Sequence, residues 1–106
     1  MQAEASITPD ALKGMIERGE PLKIVDVREE WEFGRYRIPG SISMPLSRFT
    51  SLFRTLHPDE KIVMVCESGN RSEQATQFLH YRGLKNAVNL IDGMNGWIQS
   101  GYEVEQ

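Results

Sequence analysis

Ile62-Val63-Met64-Val65-Cys66-Glu67-Ser68-Gly69-Asn70-Arg71-Ser72 is the stretch on which the fold turns. Its first four residues are apolar without interruption, the pattern of a short strand in a parallel sheet covered on both faces. Ser68, Gly69 and Asn70 are small and turn-forming, so the chain can curl directly after that strand. Ala75, Phe78 and Leu79 then mark the apolar stripe of a helix that closes at Gly83. A strand passing through a glycine-containing loop into a helix is the repeating unit of α/β proteins.

Outward from this unit the alternation continues. Upstream, Leu46, Phe49, Leu52, Phe53 and Leu56 recur at helical spacing, and His57-Pro58-Asp59 ends the helix they predict. Leu22 to Val27 is apolar and partly β-branched between turn-like flanks, and reads as a second strand. Thr8-Pro9-Asp10 has the order of a helix start: a capping hydroxyl, a proline and an acid at the positive end of the dipole. Ala11, Leu12, Met15 and Ile16 form its stripe, with Gly19 as the stop. Downstream, Ala87-Val88-Asn89-Leu90 reads as a third strand, and Met94, Trp97 and Ile98 as a last short helix. The expectation is an α/β fold with a mainly parallel central sheet and helices on both faces. Residues 1–106 are expected to form one domain, since this length is close to the commonest domain size.

The composition narrows the chemistry. A net charge of −3 argues against a nucleic-acid partner. No apolar run approaches the roughly 20 residues that span a bilayer, so no membrane partner is expected. Met1-Gln2-Ala3-Glu4-Ala5-Ser6 has neither the basic nor the apolar region of a secretory leader. One cysteine excludes an internal disulfide and any cysteine-only zinc site. His57 and His80 lack partners at ligand-like spacing and read as lone exposed residues, so no metal is expected. Trp31 and Trp97 read as packing residues, and Arg35, Arg37 and Arg48 as scattered solvated charge.

Cys66 stands where a central strand ends and a helix begins, the place where ligand sites collect in open α/β sheets. A curl of N–H groups above a helix N-terminus is an anion site and favours a thiolate over a thiol. Arg71 adds a positive charge, read here as lying inside the loop and binding anions. The competing reading is an inert buried thiol that closes a core strand. The glycine, the arginine and the strand-to-helix placement all favour reactivity.

Four segments, taken in order, carry a resemblance. They are Ile24-Val25-Asp26-Val27-Arg28-Glu29 with Glu32-Phe33; Ile38-Pro39-Gly40-Ser41-Ile42 with Met44-Pro45; Cys66 to Ser72; and Leu90-Ile91-Asp92-Gly93-Met94 with Trp97. Together they make the chain resemble the single-domain rhodaneses, sulfurtransferases that carry sulfur as a cysteine persulfide. It departs at Tyr36-Arg37, where the family often has Gly-His, and at Asp92-Gly93, where it often has Gly-Gly. The resemblance implies Cys66 as the catalytic residue, with Glu67, Ser68, Gly69, Asn70, Arg71 and Ser72 as the substrate-binding loop. It also implies Asp26 and Arg28 as a structural ion-pair network, and no cofactor.

Loop length separates sulfur from phosphate chemistry on related folds. Cysteine phosphatases and arsenate reductases resembling this fold place arginine six positions after the cysteine, whereas Arg71 stands five after Cys66. The expected activity is therefore transfer of a sulfane sulfur from a donor such as thiosulfate to cyanide or a thiol. Glu67 is expected to point to solvent, or else to repel an anionic donor. A protein donor or acceptor would make the chain a persulfide carrier between proteins. A phosphatase, an arsenate reductase and a noncatalytic binding module on the same fold are the remaining alternatives. A persulfide-forming thiol without a leader implies the cytoplasm.

Overall fold

The apolar run forms a strand with all four residues buried, and it lies at the centre of the sheet. The structure is a computed structural model that describes residues 5–106. Met1 to Glu4, part of the stretch read above for a leader, lie outside the described residues. Five strands are β1 (Ser6–Ile7), β2 (Lys23–Asp26), β3 (Ile42–Ser43), β4 (Ile62–Val65) and β5 (Ala87–Leu90). They form one sheet in the order β1-β5-β4-β2-β3, every pair parallel. The helices are α1 (Pro9–Glu17), α2 (Glu30–Arg35), α3 (Phe49–Leu52), α4 (Asn70–Tyr81) and α5 (Gly93–Gln99).

Period-two alternation sorts the core into two layers. Ile62, Met64, Val25, Val27 and Ala87 pack with Phe49, Phe53, Ala75 and Leu79 beneath α3 and α4. Val63, Val65, Ile24, Val88 and Leu90 pack with Leu12, Met94 and Trp97 beneath α1 and α5. The fold is thus α/β with a parallel sheet covered on both sides. Cys66 continues the alternation of β4 and falls in the α3/α4 layer with Met64. Among the described residues, no helix is long and apolar enough to cross a membrane.

Several readings need correction. β1 and β3 were not foreseen, because two residues each are too short to show a period. Nor was α2, which buries none of its residues and so has no apolar stripe to read. The helix expected from Leu46 to Leu56 is broken into a 3-10 turn (Leu46–Arg48), α3 and a second 3-10 turn (Phe53–Thr55). Ser51 and Thr55 donate their hydroxyls to the carbonyls of Arg48 and Leu52, three residues back, and these local bonds compete with a regular helix. Trp97 is buried, but Trp31 is 67% exposed and is not a packing residue. His80 is half-buried rather than a lone exposed residue, and its Nε2 bonds the carbonyl of Ala87.

From β2 the chain moves outward to β3, and from β4 it moves the opposite way to β5. The strand order therefore reverses between β2 and β4, whose C-terminal ends pair Asp26 with Val65, the residue before Cys66. A crevice at such a reversal is the usual ligand position in open α/β sheets.

Candidate active site

Only four residues, Cys66 to Gly69, join β4 to α4. Asn70, Arg71 and Ser72 are the first turn of α4 and not part of a loop, which corrects the placement of Arg71. Gly69 turns the chain at φ +100, a conformation glycine adopts without steric cost, and caps the helix. Its N–H then points back at the sulfur and donates to Sγ of Cys66 at 3.0 Å. Ser72, one turn into α4, brings Oγ to 3.2 Å from the same sulfur. Cys66 is fully buried. Among the described residues, Gly69 supplies the one backbone N–H bonded to Sγ, fewer than the curl of donors the sequence led us to expect.

Two elements hold this turn from behind. The first N–H groups of α5 reach the loop carbonyls, Met94 N to Cys66 O at 2.8 Å and Asn95 N to Glu67 O at 3.0 Å. A Cβ on Gly93 would stand 2.2 Å from the Cys66 carbonyl oxygen, so only glycine allows this approach. From β5, Asn89 donates Nδ2–H to the carbonyl of Gly69 at 3.1 Å and accepts the Ser72 hydroxyl on Oδ1.

Asp26 and Arg28 form a buried ion pair at the end of β2, with Nη2 to Oδ2 at 2.8 Å and Nε to Oδ1 at 3.0 Å. Arg28 also donates to the carbonyl of Tyr36 at 2.6 Å. Burial opposes the guanidinium charge, but the hydrogen bonds and charge of Asp26, followed by Glu67, outweigh it and raise the pKa of Arg28. Glu67 does not point freely to solvent. Its carboxylate accepts the Tyr36 hydroxyl at 2.9 Å and faces Nη1 of Arg28 at 3.4 Å. Burial first, and then Glu67, raise the Tyr36 hydroxyl above the ordinary tyrosine range.

Arg71 is held by a residue that the sequence did not mark as part of the site. Glu32, on α2, takes both guanidinium nitrogens at 2.8 and 2.9 Å. This forked bond brings the Glu32 carboxyl down to about 2 and raises Arg71 further. Glu32 and Tyr36 were legible only as members of a resembling segment and as a departure from it. Neither carries a local signal of contact with residues more than 30 positions away. Arg37 and Arg48 are engaged by Glu105 and Glu30, and Arg35 lies over the ring of Tyr36.

Two clefts flank the loop. One, about 330 Å³, is lined by Ser68, Gly69, Asn70, Glu73, Asn89 and Asp92 among others. The other, about 230 Å³, is lined by Arg28, Trp31, Glu32, Arg35, Tyr36 and Glu67. Among the described residues, no group of three or more His, Cys, Asp or Glu side chains is placed to hold a metal ion.

The fold is a parallel α/β sheet with a buried cysteine at its switch point, its sulfur met by one N–H and one hydroxyl among the described residues. Residues 8–100 match the Rhodanese-like domain, and the chain belongs to that family. It is 35% identical over 91 residues to "Putative sulfurtransferase YtwF" of Bacillus subtilis (strain 168), covering 86% of this chain and 87% of the relative. It is 34% identical to "Putative sulfur carrier protein YrkF" of the same organism, again over 86% of this chain. There the chain spans 49% of the relative's length, about half. The crystal structure of a rhodanese-related protein from Thermoplasma volcanium superposes with a TM-score of 0.86 at 35% identity, covering 94% of this chain and 96% of that one.

Proposed function

We propose that the chain transfers sulfane sulfur through a persulfide on Cys66. The carrying observation is the pair of donors converging on one buried sulfur, the Gly69 N–H and the Ser72 hydroxyl. Such donors suit a sulfur that bears negative charge, first as thiolate and later as persulfide. In the first half-reaction, Cys66 thiolate attacks the outer sulfur of thiosulfate. The S–S bond of thiosulfate breaks, and its electron pair leaves with sulfite. In the second, cyanide attacks the outer sulfur of the persulfide, and the electron pair of that S–S bond returns to Cys66. Thiocyanate departs and the thiolate is restored. Electrons balance without a cofactor or a general base, and the covalent intermediate predicts ping-pong kinetics.

Ser68 and Asn70 line a cleft beside the loop and would meet the donor. Arg71 supplies positive charge at the first turn of α4, although Glu32 occupies its hydrogen-bonding fork. That engagement, with Arg71 standing five positions after Cys66 and not six, supports sulfur over phosphate as the transferred group.

The test is intact-mass analysis after incubation with thiosulfate. A gain of about 32 Da that cyanide removes is expected, and Cys66→Ser should neither gain this mass nor turn over while keeping its folded spectrum. Full thiosulfate:cyanide activity in Cys66→Ser, or phosphate-ester hydrolysis without sulfur uptake, would overturn the reading. The exposed Trp31, beside the cleft that includes Glu67, favours a second reading in which the donor or acceptor is itself a protein. A persulfide that forms but persists against cyanide, and yields its sulfur to protein thiols, supports that carrier role.

A further inference from the structure

Asn89 lies on β5, outside every segment that made Cys66 conspicuous, yet its amide touches both groups that touch the sulfur. It is 9% exposed, and its side chain lies on the same face of β5 as Ala87, toward α4. The orientation of the amide follows from hydrogen-bond logic. The carbonyl of Gly69 can only accept, so Nδ2 must face it, at 3.1 Å, and Oδ1 must face Ser72. Ser72 has a single hydroxyl proton and two neighbours able to take it, Oδ1 of Asn89 and Sγ of Cys66.

We propose that Asn89 is a positioning residue for the Cys66 sulfur, acting through Gly69 and Ser72. Resting on the sulfurtransferase reading, this assigns the amide two tasks. Through its Nδ2–H it holds the Gly69 carbonyl, beside the N–H of Glu73, and so helps set the backbone angles of Gly69 that aim the N–H of the preceding peptide at Sγ. Through Oδ1 it competes with sulfur for the Ser72 proton. While its proton is donated to Oδ1 of Asn89, Ser72 presents only a lone pair to Sγ. When Cys66 bears an anionic sulfur, the Ser72 proton turns to it, and Asn89 keeps its hold on Gly69. Loss of the amide leaves the Gly69 carbonyl to the N–H of Glu73 alone and Ser72 bound to sulfur alone, and an anion held more tightly by Ser72 is a poorer nucleophile.

The experiment compares wild type, Asn89→Leu, Ser72→Ala and the double variant in steady-state thiosulfate:cyanide kinetics, together with the Gly69 amide proton in ¹⁵N-resolved NMR spectra. Asn89→Leu should lower kcat about threefold to tenfold, the scale of one misdirected hydrogen bond. In the Ser72→Ala background the same change should cost measurably less, because one of its two routes is already gone. The Gly69 amide proton should move upfield as its bond to Sγ weakens. Unchanged kcat, losses that simply multiply, or an unmoved Gly69 resonance would each overturn the proposal. A raised KM with normal kcat would also overturn it, making Asn89 a donor-binding residue. Asn89→Ala is read in the same way if the leucine variant does not fold. A wild type that takes up no sulfur overturns the transferase reading alone, and the Gly69 resonance then decides for Asn89.

Discussion

At the scale of single residues, Glu67 poses the sharpest electrostatic question, because its carboxylate is adjacent in sequence to the proposed nucleophile. The structure ties that carboxylate to Tyr36 and to Arg28, whose charge is already shared with Asp26. Asp26 and Glu67 share that one guanidinium, so Arg28 offsets the Glu67 charge only in part, with Arg35 in the same cleft and Arg71 taken up by Glu32. A dianionic donor approaching Glu67 is repelled, and the repulsion is screened by salt. Glu67→Gln keeps an acceptor for the Tyr36 hydroxyl while removing the charge. It should lower the KM for thiosulfate about twofold to fourfold at low ionic strength, and the difference should close at high salt. Kinetics at two salt concentrations check this. A KM that is unchanged at low salt, or that falls equally at both salts, argues against repulsion by Glu67.

At the scale of elements, the turn after β4 depends on how closely α5 approaches it. Gly93 adopts φ +50 and its missing Cβ leaves room for the Cys66 carbonyl. Gly93→Ala would force the Cys66–Glu67 peptide away from the N-terminus of α5 and break the bonds from Met94 and Asn95. We expect a loss of roughly 3 kcal/mol in urea unfolding, the sum of a positive-φ penalty and overpacking against backbone. Transfer activity should fall further than the remaining folded fraction accounts for. A variant with wild-type stability would show that the turn can yield. This contact also marks the limit of legibility. β2, β4, β5, α1, α4 and α5 were readable because each carries an apolar period or a capping signal of its own. The α2 helix, the two-residue edge strands and the broken helix near Phe49 were not, because tertiary contacts and local hydroxyl bonds decide them. In the same way Cys66, Gly69 and Ser72 were readable from one contiguous segment. Glu32, Tyr36 and Asn89 reach the site only through the sheet order, which places the ends of β2, β4 and β5 together.

At the scale of the whole molecule, the reversal of strand order between β2 and β4 opens a crevice, and the pair Glu32–Arg71 bridges it. Glu32 belongs to α2, which follows β2, and Arg71 to α4, which follows β4, so this one forked bond joins the chain segments on either side of the switch point. Glu32 ionises at about 2 in the folded chain, against an ordinary value of 4.5, first because Arg71 donates to it. A depressed carboxyl stabilises the fold fully above its unfolded value, and that contribution fades as pH falls from about 4.5 toward 2. The Arg71 side chain is 37% exposed, so solvent screening holds the contribution to about 1 kcal/mol, well below what the shift alone would give. Glu32→Gln should therefore be less stable than the native chain by about this amount at neutral pH. As the pH is lowered through the window between 4.5 and 2, the native chain should lose this advantage and the variant should not, so the two urea midpoints converge. A gap that stays constant across the window would show that Glu32 supports the fold by packing alone and not through its charge on Arg71.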